Sequence, residues 1–132
     1  MKKLVVLFLL ILMATTAMAA TKTVPAVTAL SGTIVNGVRE IAVTAKKYVF
    51  IPDPIVVTQG EKVRLKITAT DTDHGFGLAD FKIEQKLPKG TTQIIEFTPD
   101  KAGTFTVRCT EFCGLGHMGM KSKFIVLPLA AK

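Results

Sequence analysis

Apolar and polar residues alternate with a period of two along much of the chain. Ile41, Val43 and Ala45 alternate with Glu40 and Thr44; Val63, Leu65 and Ile67 alternate with Lys62, Arg64 and Lys66; Phe105, Val107 and Cys109 alternate with Thr104, Thr106 and Arg108. Successive side chains of a strand point to opposite faces, so each segment is predicted to be a strand with one buried and one wet face. Residues 54–57, 92–97 and 123–127 are further strand candidates. Turn chemistry separates them at Pro52-Asp53-Pro54, Gln59-Gly60, Pro88-Lys89-Gly90 and Pro99-Asp100-Lys101-Ala102-Gly103. Short strands at this spacing predict an all-β sandwich or small barrel. No convincing amphipathic helix, internal repeat or low-complexity tract follows the N-terminal segment.

That segment has a different texture. Lys2 and Lys3 precede an unbroken apolar run over residues 4–14, and Ala17-Met18-Ala19 then offers a small-x-small cleavage site. Residues 1–19 are expected to be an export signal cut after Ala19. The other reading is an uncleaved membrane anchor, but the run falls short of the roughly 20 apolar residues that span hydrocarbon. No Cys follows the run, which argues against a lipid-anchored lipoprotein. Residues 20–37, with Pro25 and the turn pair Asn36-Gly37, read as a linker or a loosely attached first strand. Residues 38–132 then form one domain, since a chain of 132 residues is too short for two cores.

Charge narrows the partners. The chain carries 17 basic and 10 acidic residues, a net +7; loss of Lys2 and Lys3 leaves 15 against 10, or +5. The basic residues are scattered, and Lys62, Arg64 and Lys66 read as a solvated strand face. No basic run is interleaved with aromatics, so no nucleic-acid partner is expected. The positive balance favours an acidic partner or an anionic membrane surface.

The chemistry is concentrated in Cys109-Thr110-Glu111-Phe112-Cys113-Gly114-Leu115-Gly116-His117-Met118-Gly119-Met120, with His74 upstream; the chain has no other Cys or His. Two thiolates, two imidazoles and a weak thioether suit copper held for electron transfer. In an oxidising compartment a disulfide is the default for two cysteines. A bridge between residues four apart would constrain the unfolded chain little, and would leave His117 and Met120 unexplained. Cys2His2 is also a zinc set, one that leaves Met120 without a role. Cys109 shares parity with Phe105 and Val107, so it points inward as its strand ends, and the next ligands sit on a Gly-rich loop. Gly114, Gly116 and Gly119 suit a loop turning tightly around a metal, and Gly75 and Gly77 allow the same close approach. Phe112, Leu115 and Met118 would form an apolar rim suited to weak docking of a redox partner.

This segment resembles the copper-binding loop of the CuA domain of cytochrome c oxidase subunit II, and that of nitrous oxide reductase. The family pattern Cys-x3-Cys-x3-His-x2-Met, with an acidic or amide residue between the cysteines and an upstream His, is met by Cys109, Cys113, His117, Met120, Glu111 and His74. Asp73-His74-Gly75-Phe76, Leu87-Pro88-Lys89-Gly90 and the 99–103 turn agree with it, and the resemblance covers residues 38–127. It implies a Greek-key β-sandwich of the cupredoxin type. It also implies two copper ions bridged by Cys109 and Cys113, with one His on each. Met120 would be a weak ligand to one copper and the Glu111 backbone carbonyl a weak ligand to the other. In oxidase subunits the carboxylate matching Glu111 helps hold a magnesium.

The implied function is that of an exported carrier of single electrons between periplasmic redox proteins, such as a c-type cytochrome or a terminal oxidase. Two alternatives are an electron-entry subunit of a membrane oxidase, retained by an uncleaved N-terminus, and a periplasmic copper-delivery or storage protein. Subunit II proteins carry one or two membrane helices, whereas this chain has only the short N-terminal run. It also has no Trp, no Cys-x-x-Cys-His haem motif and no nucleophile–base arrangement. No catalytic residue is assigned, which favours a carrier over an enzyme in its own right.

Overall fold

The computed structural model describes residues 29–130. The expected leader, its cut after Ala19 and the first part of the expected linker lie outside them. Ten strands follow one another: β1 (Thr33–Val35), β2 (Val38–Lys46), β3 (Val49–Ile51), β4 (Ile55–Thr58), β5 (Val63–Ala69), β6 (His74–Leu78), β7 (Ile83–Leu87), β8 (Thr92–Phe97), β9 (Gly103–Arg108) and β10 (Lys121–Leu127). One sheet has the order β1-β2-β5-β8, with β3 also paired to β2; the other has the order β4-β10-β9-β6-β7. The pairs β2–β5 and β4–β10 are parallel and the rest antiparallel. The result is the expected Greek-key cupredoxin sandwich. Its only helical pieces among the described residues are two short 3-10 turns, Ala79–Phe81 and His117–Gly119.

Alternation sets the packing. Val63, Leu65, Ile67 and Ala69 of β5 are buried, while Arg64, Lys66 and Thr68 between them are half-exposed. Ile41 and Val43 line the same sheet, and Ile55, Val57, Phe76, Phe124 and Val126 face them from the other. Each large side chain taken from water contributes about 1.5–3 kcal/mol. Phe81, Phe97, Phe105 and Phe124 close one end of this core, with centroids 4.9–6.2 Å apart. The metal loop lies at the other end of β6 and β9.

The structure refines the sequence pattern in several places. Thr33–Val35 pairs with β2 through a two-residue turn, with Asn36 at φ 50° and Gly37 at φ 77°. Positive φ at both positions is the type I′ geometry that matches strand twist. Residues 33–35 are thus a first strand, exposed along its length. The Lys62/Arg64/Lys66 face is not simply solvated. Arg64 pairs with both Glu40 and Glu96, Lys66 with Glu40 and Lys62 with Glu96, because β5 lies between β2 and β8. Finally β3, β6 and β7 are strands that periodicity did not mark. β6, His-Gly-Phe-Gly-Leu, is buried at every position and so shows no alternation.

Candidate metal centre

Two neighbouring strands carry the first ligands. β6 begins at His74, which has no exposed surface, and β9 runs out into Cys109. Cys109 is held at the strand end by its backbone N–H, which donates to the Met120 carbonyl (3.1 Å). The intervening loop returns through the 3-10 turn His117–Gly119, closed by N–H bonds from His117 to Gly114, Gly119 to Gly116 and Met120 to His117. Met120 is thereby buried beside Cys113, and both sulfurs lie under the loop.

The space for this loop is made by glycines. A Cβ on Gly75 would stand 2.2 Å from Thr110 Oγ1 and 2.7 Å from the Glu111 amide nitrogen; one on Gly77 would stand 2.5 Å from Thr110 Cγ2. β6 can pass directly beneath residues 110–111 only because these positions lack side chains. On the opposite flank Tyr48, from the β2–β3 connection, lies against Gly114 and Gly116, where a Cβ would fall 2.6 and 2.4 Å from its atoms.

The donors divide into two matched sets. Cys109 Sγ lies 3.8 Å from His74 Nδ1 and 3.1 Å from the Glu111 carbonyl oxygen. Cys113 Sγ lies 3.7 Å from His117 Nδ1 and 3.7 Å from Met120 Sδ. The two sulfurs are 3.6 Å apart and both are free thiols. His74, Cys109 and Cys113 offer ligand atoms all within 4.8 Å of one another. Each sulfur thus has its own imidazole and its own weak donor. Soft sulfur and imidazole donors in this number fit copper. The structure brings all six sequence-predicted residues together: His74, Cys109, Cys113 and Met120 buried, Glu111 and His117 half-buried.

Three further residues support them. The Asp71 carboxylate accepts a hydrogen bond from His74 Nε2 (2.8 Å) and another from the Lys47 backbone N–H (2.8 Å). A carboxylate only accepts, so the His74 proton sits on Nε2 and Nδ1 is left free to face the sulfurs. Burial opposes ionisation of Asp71, but the Lys47 N–H and His74 outweigh it and hold the group down to about 2. Burial, then the neighbouring Cys109 thiol, push the Cys113 thiol up to about 11. Lys86 reaches the Glu111 carboxylate at 3.5 Å, a cation already beside the side chain whose backbone faces Cys109. Tyr48, Asp71 and Lys86 escaped the sequence reading. The placing of Asp71 three residues before His74 was the one local signal available.

The apolar rim is exposed: Phe112 by 73%, Met118 by 81% and Leu115 fully.

Comparison with known proteins places this geometry in context. A family model described as a cupredoxin-like domain matches residues 3–126. Cytochrome c oxidase subunit 2 of Thermus thermophilus is 31% identical over 86 residues, covering 65% of this chain and 64% of that protein. Nitrous-oxide reductase of Cupriavidus necator is 28% identical over 101 residues, covering 73% of this chain and 16% of the reductase. The chain therefore spans less than two thirds of the length of these relatives. Among solved structures, the periplasmic domain of subunit II of cytochrome oxidase of Bradyrhizobium japonicum superposes with a TM-score of 0.63. That match has 22% identity and covers 67% of this chain and 83% of that one, a likeness of fold. With a family model spanning nearly its whole length, and the sandwich and ligand loop described above, the chain belongs to the cupredoxin-like domain family.

Proposed function

We propose that the protein holds a dinuclear copper centre of the CuA type and carries single electrons between periplasmic redox proteins, a c-type cytochrome or a terminal oxidase among them. The observation that carries this reading is the division of donors into Cys109–His74–Glu111 carbonyl and Cys113–His117–Met120, with the sulfurs 3.6 Å apart. Two copper ions bridged by both thiolates would share one unpaired electron, so little rearrangement accompanies its gain or loss. The protein's part is to keep the donors where they already are. Asp71 fixes the His74 ring, the Cys109–Met120 backbone bond pins the loop end, and burial keeps water from the sulfurs. Export with cleavage after Ala19 belongs to the same proposal.

A second reading, the electron-entry subunit of a membrane oxidase, is favoured by the relatives named cytochrome c oxidase subunit 2. Among the described residues no helix is long and apolar enough to cross a membrane. Mass spectrometry of the mature N-terminus separates the two readings: a chain starting at Ala20 supports the soluble carrier, and a retained residue 1–19 segment the subunit.

The central test is electron paramagnetic resonance on the copper-loaded protein, with metal content measured on the same sample. One electron coupled equally to two copper nuclei, at two coppers per chain, is the expected result. A single-copper pattern, or a silent sample holding zinc or Cu(I), would overturn it in favour of a mononuclear, structural or delivery role.

A further inference from the structure

We propose that the ligand-loop end of the sandwich docks a redox protein with an acidic face. Leu115 and Met118 would enter its apolar patch, and its carboxylates would meet Arg108 and Lys121. The redox nature of the partner rests on the carrier reading; its charge and the orientation of docking rest on the surface alone.

Leu115 is fully exposed and Met118 and Phe112 nearly so, and all three belong to the loop that holds the ligands. Apolar side chains clustered so close to a buried metal-ligand set shorten the path from the centre to whatever covers them. The cations beside them are arranged at a cost to the fold. Arg108 and Lys121 are direct partners across β9 and β10, so both side chains leave the same face, and like charges placed opposite destabilise a strand pair. Lys123 follows on that face. None of the three is in an ion pair among the described residues. The basic residues of β5 differ, being matched by Glu40 and Glu96.

Geometry ties the cation pair to the metal end. Arg108 and Lys121 line a recess of about 70 Å³ together with Cys109, His117, Met118 and Met120. Of the nearby acids, Asp53 lies beside Lys121 and Lys123 but is taken up by the Ser122 hydroxyl and the Lys123 backbone N–H, and the others are engaged on the other flank. Asp71 bonds His74, Asp73 accepts the Lys89 backbone N–H, and Glu111 faces Lys86. Arg108, Lys121 and Lys123 are thus cations outside any ion pair among the described residues, while the carboxylates around them are already engaged. A partner bearing carboxylates is drawn to these cations at long range and docks in one orientation, while a cationic partner is repelled.

The test is amide chemical-shift mapping of the isotope-labelled protein, thiols reduced, with and without Cu(I). The probes are a reduced acidic c-type cytochrome, a reduced basic c-type cytochrome and phosphatidylglycerol vesicles. With both proteins reduced no electron moves, so the result is independent of the resonance experiment above. The expected result is binding to the acidic cytochrome alone, with shifts confined to residues 108–121. Affinity should fall about tenfold from low to physiological salt, as screening predicts. The double variant Arg108→Glu/Lys121→Glu should weaken binding by about tenfold or more, whereas Lys82→Glu, beyond the far end of β6, leaves it unchanged. Preference for the basic cytochrome, binding to vesicles only, self-association through this loop, or shifts elsewhere on the sandwich would each overturn the proposal. Any of these would leave the copper centre standing. Docking without a redox-active copper centre would instead remove the carrier reading and keep the acidic partner.

Discussion

Asp71 shows how much of the centre is settled by single atoms. Its carboxylate takes the His74 Nε2 proton, so the ring presents Nδ1 to Cys109, and the same carboxylate is anchored by the Lys47 N–H. Removing a partner that orients a ligating imidazole typically lowers metal affinity about 10–100-fold. Asp71→Ala is therefore expected to weaken copper by that order in a chelator competition titration, with the copper count at saturation unchanged. An unaltered affinity would mean that packing alone holds the ring. The two sulfur ligands of the second half-site should differ in kind. On the proposed dinuclear reading Cys113→Ser removes a bridging sulfur and is expected to leave at most one copper per chain. Met120→Leu keeps both coppers and shifts the reduction potential, because a weak axial thioether tunes rather than holds the metal. Metal analysis with voltammetry on both variants decides this, and loss of both coppers in the Met120 variant would contradict it.

At the scale of elements, the closeness of β6 to the ligand loop makes a sharper prediction. Gly77 faces only the Thr110 Cγ2 methyl at short range, whereas Gly75 faces both the Thr110 hydroxyl and the Glu111 backbone nitrogen. Overpacking of this sort costs about 1–3 kcal/mol. Both Gly75→Ala and Gly77→Ala should destabilise the protein in urea unfolding. A second change, Thr110→Ser, removes the methyl and should rescue Gly77→Ala but not Gly75→Ala, which still meets backbone; equal rescue of both would refute this packing. The same glycines explain what the sequence left hidden. Strands β2 and β5 were legible because one face is buried and the other wet. β6 is buried on both faces and two of its five residues, Gly75 and Gly77, are glycines, so it offers no alternation and few strand-forming side chains. The candidate ligands stood out for the opposite reason, since five of the six lie within one twelve-residue segment whose spacing is local. Asp71 bonding the Lys47 amide and Tyr48 covering Gly114 and Gly116 join segments far apart in sequence, and only the folded sandwich brings them together.

For the whole molecule, charge and metal act on the same folding equilibrium. Lys66 and Arg64 hold the Glu40 carboxyl below its ordinary 4.5, and Arg64 then Lys62 do the same for Glu96. Asp71 is held from 3.8 down to about 2. A carboxylate whose folded value is depressed adds stability that is fully present above its unfolded value and is lost as pH falls toward the folded one. The metal-free protein should therefore keep a nearly constant Tm from neutrality to about pH 5 and lose it steadily below about 4.5. High salt should flatten the share of the Glu40 and Glu96 ion pairs, since those side chains are at least partly exposed. Copper adds a second term at neutral pH. It binds donors that only the folded chain assembles, so it raises Tm by mass action, and at 100 times Kd the gain is about 2.7 kcal/mol. The proposed ligands come from β6, the end of β9 and the loop into β10, so a metal held by them would clamp three strands of one sheet. Lowering the pH protonates its thiolates and the two terms fade together. Thermal unfolding of metal-free and copper-loaded protein across pH 3–7 is expected to give two curves, wide apart at neutrality and converging in acid, where thiol protonation releases the copper. Curves that stay parallel down to the lowest pH would mean that the bound metal does not depend on thiolate ligands, and would count against Cys109 and Cys113 as its bridge.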